Sequence, residues 1–80
     1  MNRVSLVTCA LQKQADLSWK STVVTGPTGG ETLSEENQTA TGASRQEAFN
    51  NHKAAVEAEI TTWNYPPRFD IVDVAPVPPA

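Results

Sequence analysis

Apolar and polar positions divide the chain into a few short runs. Residues 4–11 are aliphatic or β-branched almost throughout and carry no charge, the composition of a strand. Gln12 to Asp16 is polar enough to turn, and residues 19–25 then alternate: Trp19, Ser21, Val23 and Thr25 on one face, Lys20, Thr22 and Val24 on the other. A hairpin between these two runs is the natural pairing. Gly26-Pro27-Thr28-Gly29-Gly30 breaks the pattern, because glycine tolerates positive φ and proline fixes its own. In the next stretch, Glu31-Thr32-Leu33-Ser34 reads as a short third strand and Thr39-Ala40-Thr41 as an extended lead-in to a helix.

The spacing changes after Ser44. Phe49, His52, Val56, Ile60 and Trp63 recur every three or four residues, with Ala48 and Ala55 widening the same face; Lys53, Ala54, Glu57, Ala58 and Thr61 fall mostly away from it. Ser44-Arg45-Gln46-Glu47 is a capping box, in which the serine hydroxyl accepts from the Glu47 amide and the Glu47 carboxylate returns to the Ser44 amide. Asn64 and Pro66-Pro67 end the helix. Residues 68–74 alternate again as a last strand, and Ala75-Pro76-Val77-Pro78-Pro79-Ala80 has the composition of a mobile polyproline-like tail. The order β-β-β-α-β predicts an α+β fold: a three-to-four-stranded antiparallel sheet with one helix on one face. It forms a single domain over residues 1–74, followed by a disordered tail at 75–80. Phe49, Val56, Ile60, Trp63, Val7, Val23, Ile71 and Trp19 compete for its core.

At 80 residues the chain is small for a domain, and a core of this size rarely supplies more than roughly 3–5 kcal/mol of net stability. That favours binding over catalysis. The formal charge is −3, with a balance of +2 over residues 1–30 and −5 over residues 31–80. Without a Lys/Arg cluster, direct nucleic-acid binding is not expected; an acidic half suits a basic protein surface, including one that ordinarily holds nucleic acid. No run approaches the ~20 apolar residues of a membrane span. Ser5 and Thr8 interrupt the apolar segment after Arg3, so a signal peptide is not expected and a cytoplasmic protein is.

Candidate chemistry is sparse. Cys9 and His52 are the lone cysteine and the lone histidine, too few for a closed zinc site, and both are expected as buried core residues rather than a nucleophile and its base. Residues 25–32 imitate a phosphate loop, but Thr25 and Glu31 stand where Gly and Lys are needed. The acidic residues lack the alternate spacing of a calcium loop. No metal or cofactor is expected, and no enzymatic activity.

Gly42-Ala43-Ser44-Arg45-Gln46-Glu47-Ala48-Phe49-Asn50-Asn51-His52-Lys53-Ala54-Ala55-Val56 resembles the start of the helix in HicB-like antitoxin domains, whose pattern there is roughly Gly-Asp-Thr-x-Glu-Glu-Ala-x-x-Asn-x-x-x-Ala-Ile. The resemblance implies a βββαβ fold with this helix lying on the sheet. The family's Pro-Asp-x-Pro-Gly segment is replaced here by residues 31–41. The same helix is similar to the last helix of double-stranded-RNA-binding domains, although only Arg45 matches their basic positions. The expectation is therefore a small acidic inhibitor, of the antitoxin or anti-CRISPR kind, docking on a nuclease or other nucleic-acid-handling protein. Glu57, Glu59, Asp70 and Asp73 would face the partner's basic side chains, with Tyr65 as an aromatic anchor. The alternative is a self-associating structural or phage-assembly protein, such as a homodimer, using an open sheet edge.

Overall fold

The computed structural model describes residues 4–28, 32–63 and 66–79. Four strands, β1 (Ser5–Lys13), β2 (Trp19–Thr25), β3 (Thr39–Gly42) and β4 (Pro67–Asp73), form one sheet in the order β3-β2-β1-β4. The helix α1 (Arg45–Ile60) packs on one face of it. This is the predicted α+β fold in the predicted order, with one correction: the sheet is mixed. The pairs β1–β2 and β2–β3 are antiparallel, but β4 runs parallel to β1, with Val7 beside Phe69 and Cys9 beside Ile71. The reason is directional. Two antiparallel steps leave β3 pointing the same way as β1, and a crossing helix returns the chain to the starting end, so the next strand runs parallel to both.

The alternation in β1 builds the core. Ser5, Val7, Cys9 and Leu11 are at most 1% exposed and face α1, while Leu6, Thr8 and Gln12 look the other way. From the helix, Ala48, His52, Val56 and Ile60 meet them at four-residue spacing, all fully buried. Burying an aliphatic side chain such as Val56 or Ile60 stabilises by ~1.5–3 kcal/mol. Val23, Phe49, Trp63 and Phe69 pack around this cluster, half-buried. Two expected core residues lie farther out: Ile71, on the edge strand β4, is 39% exposed, and Trp19, the first residue of β2, is half-buried.

The third strand is Thr39–Gly42, in place of the residues around Leu33. Leu33 plugs the core, 3% exposed, and the chain passes through a 3-10 turn at Glu35–Asn37 before pairing with β2. At the start of α1, Ser44 Oγ accepts from the Glu47 amide at 3.1 Å, as the capping box requires. The returning Glu47 carboxylate takes the Ala43 amide at 3.0 Å, one residue earlier than expected. Gly42 makes this approach possible: a Cβ there would stand 2.5 Å from the Ala48 nitrogen. After Ile60 the backbone tightens into a 3-10 turn, Thr61–Trp63, and the Thr61 and Thr62 hydroxyls take the Glu57 and Glu59 carbonyls.

Past β4, the proline-rich segment expected to be disordered continues along β1. The Val74 amide donates to the Leu11 carbonyl at 3.0 Å and the Val77 amide to that of Lys13 at 2.8 Å. It meets the β1–β2 loop there. That loop is closed by Gln14 and Ser18 and holds Leu17 at φ 73°. Leu17 is 59% exposed and occupies a left-handed position that suits glycine. At the far end of the hairpin the register slips, Thr8 pairing with Thr25 and Cys9 with Val23, so that Val24 is the extra residue of a bulge. Gly26 follows at φ 88°, where a Cβ would fall 2.0 Å from the Leu6 carbonyl oxygen.

Two substitutions of opposite sign test these backbone positions by urea denaturation. Leu17→Gly is expected to raise stability by about 0.5–1 kcal/mol, relieving the left-handed side chain. Gly26→Ala is expected to lower it by more than ~1 kcal/mol, because the atom it meets is backbone and cannot rotate away.

Candidate binding surface

The residues singled out for chemistry meet inside the protein. His52 Nε2 lies 2.7 Å from the Asn37 carbonyl oxygen, which can only accept, so this nitrogen carries the proton. In the neutral ring Nδ1 is then an acceptor, and the Ser21 hydroxyl donates to it at 2.6 Å. Burial pushes the nearby Cys9 thiol above the ordinary range, and the Ser21 hydroxyl offsets part of that shift. Burial likewise holds His52 below its usual value, opposed by the bond to Asn37. Ser21, His52 and Cys9 are all fully buried, so the imidazole acts as an internal strut joining α1, β2 and the 3-10 turn.

The same turn is held from a second point. Glu59 accepts from the Ser34 amide at 2.9 Å, the Ser34 hydroxyl at 2.6 Å and Asn37 Nδ2 at 2.7 Å. These bonds, the Ser34 hydroxyl foremost, keep its carboxyl below the ordinary range. Residues 32–38 are thus strapped to the helix by Leu33 in the core, His52 on one carbonyl and Glu59 on three donors.

That use of Glu59 divides the expected docking set. Asp73 sits on the helix side of β4 and is bound by Arg45 through two bonds, 2.8 and 3.1 Å. Asp70 pairs with Thr8 on the opposite, helix-free face of the sheet. Glu57 is half-buried on α1, and Tyr65 lies outside the described residues. The carboxylates expected to meet one basic surface are therefore split between two sides of the protein. The spacing of Asp70 and Asp73 already implied this, because residues three apart in a strand take opposite faces.

The helix-free face offers a different surface. It carries Leu6, 43% exposed, and Val72, 48% exposed, with Ala10 and Thr8 between them. Val24, pushed out by the bulge, is 56% exposed. Arg68 and Asp70 lie among these side chains, Asp70 opposite Thr8 between Leu6 and Val72, and Lys20 lies opposite Gln12 toward one end. The expected core left out Leu6, Val24 and Val72, but the expected docking set was built from carboxylates and Tyr65 and did not use them; the signal lay in Leu6 and Val72 falling on the parity opposite to Val7 and Ile71. A separate cleft of about 380 Å³ lies between the β1–β2 loop and the tail, lined by Leu17, Lys13 and Pro76 to Pro79. Among the described residues no cluster of three potential metal ligands occurs, and no helix is long and apolar enough to cross a membrane.

The strap gives a pH prediction. A histidine held below its ordinary value of 6.5 binds fewer protons folded than unfolded, so stability is full above that pH and falls as pH drops below it. Glu59, held below 4.5, adds a second loss as pH falls through that value. Urea midpoints at several pH values from 8 to 4 should show both stages. His52→Gln should flatten the first, since this is the chain's lone histidine. Comparison of the chain with protein-family models, with curated proteins and with solved structures finds no match.

Proposed function

We propose that the protein is a non-enzymatic inhibitor that binds a protein partner through the helix-free face of its sheet and covers a surface the partner needs. The observation that carries this reading is the exposure of the aliphatic side chains Leu6, Val24 and Val72, with Arg68 and Asp70 among them. Antiparallel sheets often leave one face to water, but that face is then ordinarily polar at alternate positions. Here Leu6 and Val72 stand exposed at two of those positions, among Thr8, Ala10, Arg68 and Asp70, a mixture of apolar and charged side chains of the kind that protein interfaces use. The burial of Cys9, Ser21 and His52 supports binding over catalysis, since each is engaged within the core.

The partner class is argued from charge. Glu35, Glu36 and Asp70 are exposed in a chain of net charge −3, which favours approach to a basic surface, as on proteins that handle nucleic acid. Occupation of such a surface would block nucleic acid by exclusion and by repulsion. This is the antitoxin-like or anti-CRISPR-like role expected from the sequence. It is assigned here to a different set of residues: Asp70 stays in the interface, while Glu59 and Asp73 serve the fold.

The test is recovery of a stoichiometric partner by the tagged protein, compared across variants. Leu6→Asp and Val72→Asp should abolish recovery, Asp70→Lys should weaken it and remove part of its salt sensitivity, and Glu57→Lys on the helix should leave it unchanged. Recovery that survives both aspartate substitutions would overturn the reading. A mobility shift of RNA or DNA by the free protein at low salt would do the same, replacing it with direct nucleic-acid binding.

A further inference from the structure

We infer that two copies of this chain join edge to edge through β4, antiparallel about Ile71, to make one continuous sheet. The backbone register defines the free edge. The Ser5 amide donates to the Pro66 carbonyl and the Val74 amide to the Leu11 carbonyl, so the even-numbered residues of β4 turn their backbone groups toward β1. The amides of Phe69, Ile71 and Asp73, with the carbonyls of Pro67, Phe69, Ile71 and Asp73, point away from it. Among the described residues nothing pairs with them. Exposed edges are usually blunted by charged side chains, by proline or by a bulge; β4 has Pro67 at its start and Arg68, Asp70 and Asp73 along it, but it has neither an internal proline nor a bulge, so the outward groups from Phe69 to Asp73 stay in one unbroken register.

The other edge is treated differently. In β3 the outward carbonyl of Thr41 accepts from Asn51 Nδ2 at 3.0 Å, and α1 leans over this short strand with Gly42 against Ala48. The helix meets β4 through side chains: Phe49 edge-to-face with Phe69, Lys53 over the same ring, and the ion pair of Arg45 with Asp73. The molecule therefore has one edge stopped by its own helix and one left open.

Charge selects a second copy of the chain as the occupant and fixes its register. With Ile71 opposite Ile71 of the second copy, Phe69 stands opposite Asp73. Lys53 Nζ lies 6.0 Å from the Phe69 ring centre, so each copy would bring its Lys53 to the other's Asp73, once on each side of the two-fold axis. On the opposite face Asp70 meets Val72. Sliding the register to centre on Asp70 would set two Asp70 carboxylates face to face, which is destabilising. The arrangement also covers Ile71, which the expected core had claimed and the monomer leaves 39% exposed.

Sedimentation velocity of the full chain over a wide concentration range tests this. The wild type should show a reversible monomer–dimer equilibrium. Ile71→Pro removes an outward amide that the protein's own sheet does not use, and should leave a folded monomer. Lys53→Glu and Asp73→Lys should each weaken the dimer about tenfold by placing like charges together, and an equimolar mixture of the two should restore it as a heterodimer. That mixture keeps the proposal testable even if the proline variant does not fold. A wild type that remains monomeric at the highest concentration it tolerates would overturn the inference; so would a dimer indifferent to the charge exchange, which would use another surface. Neither result touches the helix-free face, whose variants are read by partner recovery.

Discussion

Everything in this protein is registered on β1. It is a central strand whose backbone groups are paired on both sides, antiparallel with β2 and parallel with β4, and whose alternate side chains from Ser5 to Leu11 form the floor on which α1 rests. A strand bound on both edges and buried on one face has little freedom of register, since a slip of one residue would turn Val7, Cys9 and Leu11 to the helix-free side. The positions of Phe69, Asp70 and Asp73 are set by that register. So is the separation of two carboxylates only three residues apart onto opposite faces.

The second organising feature is polar. Residues 32–38 have too few apolar side chains to hold themselves down, and Leu33 alone enters the core. His52 and Glu59, about two turns apart along α1, fix the segment by bonds that need the imidazole neutral and the carboxylate charged. Buried polar groups are tolerated when their partners are in place, and this pair has them. The cost appears on acidification, when first one and then the other acquires a proton it cannot hold in the folded state.

Much of the architecture was legible in the sequence because local rules and tertiary packing agree. The strands at both ends of the chain, the hairpin, the Ser44 cap and the His52–Val56–Ile60 stripe can all be read from spacing and residue type. What was not legible depends on pairing between distant residues. Leu33 in a β-like run reads as a strand, yet a single large side chain can plug a core without a ladder, while the small Thr39-Ala40-Thr41 pairs with β2 because nothing bulky obstructs the helix above it. The parallel sense of β4 requires knowing that β3 exists and where it points. The candidate site suffered most. Carboxylates were grouped by proximity in sequence, whereas helix phase gave Glu59 to the strap and strand parity sent Asp70 and Asp73 to different sides.

The asymmetry between the two sheet edges sets a limit on growth. Edge-to-edge pairing of identical sheets can in principle continue without end, which is the route to fibres. Here Asn51 takes one of the two outward carbonyls of β3, that of Thr41, and the helix packs closely on this short strand, so a copy docked on β4 would present this obstructed edge to the solvent. Association of the proposed kind would be self-terminating: a small domain can keep one strand edge open without becoming the seed of a filament.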